Sequence, residues 1–161
     1  MFEVENRINC FLLQYCRLLV ADIPDDRMAE QPVPGVNHPA WILGHLAYSA
    51  NAGLALLGTT KIFPTEWEPL FAPASKVTAS RSNYPSKEEL IEAIDKGFAL
   101  LRETASNADD EHLSQPTTNP RMKDGLPEAR DRVAFLLTGH LGVHLGQLSS
   151  WRRMIGLPPM F

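Results

Sequence analysis

Apolar residues recur at helical spacing in four stretches of the chain, and no run alternates with period two over a useful length. The pattern therefore predicts helices and no sheet. The first helix runs from about Glu3 to Asp22, with Val4, Ile8, Leu12, Tyr15 and Leu19 on one face. Pro39 suits a first helical turn, so His38 is expected at the cap of a second helix that ends near Leu57 and Gly58. Trp41, Ile42, His45, Ser49, Ala52 and Leu56 share its inward face. No charged residue lies between His38 and Thr60, so this helix is expected to be buried on several sides. His45, Tyr48, Ser49 and Asn51 interrupt the apolar run, which argues against a membrane span. Ser86-Lys87-Glu88-Glu89 fits a capping box opening a third helix, with Ile91, Ile94, Phe98 and Leu101 inward. A fourth helix starts near Pro127 and ends near Gly156-Leu157-Pro158-Pro159.

The stretches between are longer than ordinary hairpin turns. Residues 23–38 carry three prolines and Gly35. Residues 59–85 form a proline-punctuated connection containing Trp67, Phe71 and Tyr84, and residues 107–125 are polar. Connections of this length inside one domain are usually functional or crossovers. The expected architecture is all-α: one domain over residues 1–161, a four-helix bundle with a long crossover connection.

Composition changes this picture little. The chain has 161 residues, 44% hydrophobic and 21% charged, an ordinary globular balance. Its formal charge of −4 is spread without a basic block, which excludes nucleic acid as an expected partner. The opening MFEVENRINCFLLQYCRLLV has early acidic residues and does not read as a secretory leader. Cys10 and Cys16 fall about 120° apart on the first helix at about 100° per residue, so they do not bridge. Free thiols packed in a helix and a reduced, cytoplasmic location are the simplest reading.

The fourth helix carries the candidate chemistry. Val133, Leu136, Leu137, His140, His144, Gln147, Leu148, Trp151, Met154 and Ile155 fall on one stripe about 120° wide, with Thr138, Ser149 and Arg152 opposite. Imidazoles make poor core material alone, because each carries a donor and an acceptor that need partners. An i, i+4 pair on one helix face is an arrangement that helical zinc sites use. His45 on the second helix supplies a third inward imidazole. Three such nitrogens leave an open position, which a catalytic metal needs. Spacing alone leaves a metal site and three satisfied core histidines both open.

The segments HPAWILGHLAYSA (residues 38–50) and GHLGVHLGQLSSWRRMIGLPP (residues 139–159) resemble the DinB-like superfamily of metalloenzymes. That superfamily includes bacillithiol S-transferases and mycothiol-dependent maleylpyruvate isomerases. The resemblance spans the chain in length and helix order, although the middle carries no sharp motif. It implies a four-helix bundle with a crossover, a divalent metal on His45, His140 and His144, a small-molecule substrate, and a homodimer. Zinc and nickel both suit three imidazoles. The implied activity is a metal-dependent thiol S-transferase or thiol-linked enzyme using a low-molecular-weight thiol. The other classes are a non-catalytic, stress-associated metal-binding protein and a metal-dependent hydrolase. A hydrolase would want a carboxylate beside the metal. Asp109, Asp110 and Glu111 lie in a polar connection where a solvated surface is expected.

Other residues carry paired readings. His38 is a cap, lines the pocket or adds a ligand, and His112 is expected at the surface. Gln147 either hydrogen-bonds a ligand histidine or a backbone group. Arg152 and Arg153 either complement the helix dipole or clamp carboxylates of a thiol cofactor. Trp67, Phe71 and Tyr84 pack normally or roof the site. Gly139, Gly142 and Gly146 share the back of the fourth helix, beside Phe135, where another helix or another protomer could approach.

Overall fold

The structure, a computed structural model, describes residues 1–160. Its regular elements are helical: α1 (Glu3–Ala21), α2 (Pro39–Leu56), α3 (Glu68–Phe71), α4 (Lys87–Asn107), α5 (Asp110–Leu113), α6 (Ala129–Leu137) and α7 (Gly139–Met154). Three 3-10 turns join them, and an isolated bridge pairs Pro116 with Glu128. No strand occurs among the described residues. Among the described residues, no helix is long and apolar enough to cross a membrane.

Helix α2 is the axis of the core. Fourteen of its residues are buried, because α3, α4, α6 and α7 all pack against it. Gly97 of α4 lets the closest pair approach: a Cβ there would sit 3.1 Å from that of Ala50. Helix α4 opens as expected, with Ser86 Oγ accepting from Glu89 N and the Glu89 carboxylate accepting from Ser86 N. It buries Leu90, Ile94, Phe98 and Leu101.

Helix α1 has the expected length but not the expected face. Asn9, Leu13, Cys16, Leu19 and Val20 are buried, whereas Val4 is 54% exposed and Ile8 41%. The helix is apolar on more than one side, and its buried side includes a polar residue that a hydrophobic stripe passes over. Asn9 Nδ2 donates to the Leu137 carbonyl at 2.8 Å, and Arg102 donates to Asn9 Oδ1 at 2.6 Å. Cys10 is exposed and Cys16 buried, both free. Burial comes first in pushing the Cys16 thiol up to about 12, so this sulfur stays protonated.

The expected fourth helix is two helices. At Thr138 the backbone leaves the helical region (φ −129°, ψ −79°), and its hydroxyl donates back to the Ala134 carbonyl at 2.7 Å. Such back-bonding bends helices. The Leu137 carbonyl at the break is the one Asn9 satisfies. Gly139 follows, against the Phe135 ring, where a Cβ would meet Cδ2 at 2.9 Å. Gly142 and Gly146 face open space instead. Arg152, expected opposite the core, is fully buried and ion-paired with Asp22, and Gln147 is exposed. The α7 face toward the protein is thus wider than the predicted stripe on its Arg152 side.

The long connection after α2 is stapled along that helix. Asn51 Oδ1 accepts from the backbone amides of Ile62 (2.7 Å) and Phe63 (2.9 Å). Trp41 Nε1 donates to Ser75 Oγ at 2.8 Å, and Ser75 Oγ donates on to the Leu70 carbonyl. Arg81 closes the far end, donating to Asp25 and to the carbonyls of Tyr84 and Pro85. These bonds satisfy backbone groups that a buried loop would otherwise leave unpaired.

Candidate metal centre

His38 is the N-cap of α2. Its Nδ1 accepts from Trp41 N at 3.2 Å, so the proton sits on Nε2, which donates to the Thr78 carbonyl at 2.9 Å. The side chain is fully buried and its ring meets Tyr84 edge-on. It is structural, and none of its nitrogens is free for another role. Burial pushes His38 down to about 4, against an ordinary 6.5. The unfolded chain therefore takes up this proton first as pH falls. Folding stability is unpenalised above pH 6.5, declines below it, and levels off below about pH 4. Between pH 7.5 and 4.5 the loss through this group is about 2–3 kcal/mol. Urea unfolding of wild type and His38→Asn at both pH values checks this. The variant keeps a capping oxygen and should lose less stability on acidification by that amount; equal losses would disprove it.

About two and three turns further along, α2 presents His45 and Ser49 inward. Ser49 donates back to the His45 carbonyl. His45 Nδ1 lies 2.7 Å from the carbonyl oxygen of Phe71. A carbonyl only accepts, so Nδ1 carries the proton and Nε2 keeps its lone pair. The Trp41 indole stacks on the ring at 4.7 Å and 7°, and Tyr48 faces it at 6.3 Å. This contact holds the imidazole plane along α2.

Helix α7 brings the other two. His144 Nδ1 lies 3.1 Å from Gln147 Oε1, which also accepts from Asn37 Nδ2 at 3.1 Å. With Nδ1–H donating, the Nε2 lone pair of His144 is likewise left over. Of the two expectations for Gln147, the structure shows the bond to the histidine. His140 is half-buried, and its Nδ1 is buried without any partner. The ring centroids lie 4.8 Å (His45–His144), 5.3 Å (His45–His140) and 4.7 Å (His140–His144) apart. One nitrogen from each lies within 4.8 Å of the others, and this group could hold a metal ion.

The electrostatics favour ligands over cations. Burial lowers His45. Burial, then the neighbouring His144 and His45, pushes His140 down to about 3. Burial and His45 push His144 down to about 4. All three are neutral near pH 7, the form that binds metal. The orphaned His140 Nδ1 fits the same reading, since an unsatisfied buried nitrogen is costly without a partner.

The remaining candidates lie elsewhere or serve structure. Asp109, Asp110 and Glu111 are exposed, with Asp109 capping α5 and pairing with the exposed His112. The cluster around His45 contains no carboxylate. Arg152 is committed to Asp22 and to the carbonyls of Leu19 and Pro158, so it is not a free clamp. Arg153 is exposed. Phe71 is fully buried against Gly44, and its contribution is a backbone carbonyl, which no side-chain pattern could reveal. Trp67 and Tyr84 pack against it.

A structure described as a conserved protein from Enterococcus faecalis superposes with a TM-score of 0.73 over 96% of each chain, at 15% identity. That likeness concerns the fold. No curated protein matches the sequence. A sequence model of the DinB superfamily matches residues 13–148, which include His45, His140 and His144. The chain belongs to the DinB superfamily.

Proposed function

We propose that the chain binds one divalent metal ion, zinc or nickel, on His45, His140 and His144, and transfers a small thiol to an electrophilic substrate. The observation that supports this most is the convergence of three neutral imidazoles, with two Nδ1–H groups already held by Phe71 and Gln147. Partners of this kind fix the tautomer and raise ligand basicity. A divalent ion there would supply Lewis acidity that favours a thiolate over a thiol at neutral pH. The protein's own part is to hold the three nitrogens, to orient His45 through the Phe71 carbonyl, and to wall the site with Trp41.

A cluster without a carboxylate favours thiol transfer over hydrolysis, because a thiol is a far stronger acid than water and would give its proton to solvent without a dedicated base. We read the packing of α1, α2, α4 and α6–α7 as a four-helix bundle crossed by the connection over α2. The apolar residues exposed along α1, among them Val4, Phe11 and Leu18, support a homodimer.

Elemental mass spectrometry of untagged protein tests the reading. About one metal per chain is expected in wild type and essentially none in His144→Ala. Turnover of a thiol with an electrophile should vanish with the metal. Stoichiometric metal without turnover over a panel of thiols would favour a binding protein. No metal, even after reconstitution, would overturn the site.

A further inference from the structure

We propose that a second, small pocket beside the histidine cluster is a subsite for the carboxylate of a monoanionic substrate, held by Arg132 and Tyr48. The pocket encloses about 220 Å³ between α2, α6 and the start of the long connection. Tyr48, Asn51, Arg132, Lys61 and Glu68 supply its polar groups, and Ala52, Ala55 and Phe63 its apolar wall. Tyr48 joins it to the centre already described, because the same ring faces His45 on one side and lines this pocket on the other.

Two of the polar groups have no partner among the described residues. Arg132 uses only its backbone amide, toward Glu128, and its guanidinium makes neither a hydrogen bond nor an ion pair. The neighbouring charges are otherwise engaged: Arg130 pairs with Glu128, and Asp131 accepts from Glu128 N. The Tyr48 hydroxyl makes no hydrogen bond, while its ring packs on His45 and Phe63. By contrast, Asn51 is spent on Ile62, Phe63 and Ala47, and Lys61 pairs with Glu68 at 3.2 Å. With that pair neutral as a unit, the pocket's uncompensated charge is the single positive charge of Arg132.

A half-buried, unpaired guanidinium beside a free phenol is matched by a carboxylate, which accepts from the planar fork and from the hydroxyl together. The apolar wall suits a short carbon chain, and the volume limits the ligand to roughly ten heavy atoms. One net charge favours a monoanion over a dianion. If the centre transfers a thiol, this subsite would anchor the electrophile by its carboxylate while its reactive end reaches past Tyr48. Binding in the pocket does not depend on that reading.

The probe is butanoate, with butanamide as its uncharged isostere. Dissociation constants are measured by ligand-observed NMR on the full-length protein, metal-loaded and metal-stripped, so that coordination to the metal is separated from the subsite. Butanoate should bind both forms, butanamide at least tenfold more weakly. Arg132→Gln should weaken butanoate at least tenfold, Arg132→Lys less, and Tyr48→Phe a few-fold. In metal-stripped protein, amide shifts should fall on Ala52, Ala55 and Lys61. No butanoate binding to metal-stripped protein, equal binding by wild type and Arg132→Gln, or equal affinity for the amide would each overturn the subsite. Arg132-dependent binding in a protein that takes up no metal would retain the subsite and remove the metal reading. Metal uptake with Arg132-independent binding would do the reverse.

Discussion

Gly44→Ala is expected to destabilise the protein by about 1–3 kcal/mol and to weaken metal binding about 10–100-fold. Helix propensity alone predicts the opposite sign, because alanine in a helix interior is better than glycine by about 1 kcal/mol. Packing decides the outcome. A Cβ at position 44 would lie 2.1 Å from Phe71 Cε1 and 2.3 Å from Cδ1 and Cζ. The Phe71 ring has nowhere to turn: it is fully buried and hemmed by the rings of Phe63, Trp67 and Tyr84 at 5.9 to 6.2 Å. Helix α3 must therefore shift. The carbonyl that moves with it is the one that orients His45, at 2.7 Å. Chemical denaturation and a metal-competition titration read the two effects separately. Adding Phe71→Leu should relieve the clash and recover part of both losses, a coupling that a double-mutant cycle measures. Unchanged stability in Gly44→Ala would mean that the ring does not rest on the α2 backbone.

This contact marks the limit of what the sequence discloses. The existence of α1, α2 and α4 was legible, because each has a helical apolar period and the last two also carry a cap signal. Ser86 and Glu89 form the expected box, and His38 before Pro39 is the cap. The convergence of His45, His140 and His144 was legible for the same reason, since each lies at a position whose period faces the core. What periodicity could not show are features made by tertiary partners. The break at Thr138 depends on Asn9, 128 residues away from Leu137, taking the carbonyl there. The face of α1 was misjudged because Asn9 belongs to its buried side, whereas Val4 and Ile8 do not. Burial of Arg152 depends on Asp22 arriving from another helix. Phe71 contributes a backbone atom, and the connection carrying it has no period to read.

Asp22→Ala is expected to cost about 2–3 kcal/mol, and more than Arg152→Met, although both remove the same ion pair. The asymmetry follows from where the two charges sit. Arg152 is 0% exposed, whereas the Asp22 side chain is 46% exposed. Removing Asp22 strands a guanidinium in the core. It would keep only the carbonyls of Leu19 and Pro158, at 2.8 and 3.2 Å, and its Nε already lacks a partner. Removing Arg152 leaves a carboxylate that water can reach, and methionine refills much of the apolar volume, so about 1 kcal/mol is expected from the two carbonyls left without donors. The double variant should resemble Arg152→Met, because the stranded charge is gone. Urea unfolding near pH 7 is the right condition. The hydrogen bond from Arg152 holds the Asp22 carboxyl below its ordinary 3.8, so the pair's contribution is complete above that value and lost only as pH falls through the lowered one. The same pair fastens the end of α1 to the end of α7, the helix that carries His140 and His144. Metal affinity should therefore fall with stability in Asp22→Ala and recover in the double variant. A milder effect of Asp22→Ala than of Arg152→Met would mean that the guanidinium is not held out of water, and that α7 is fixed by its apolar contacts alone.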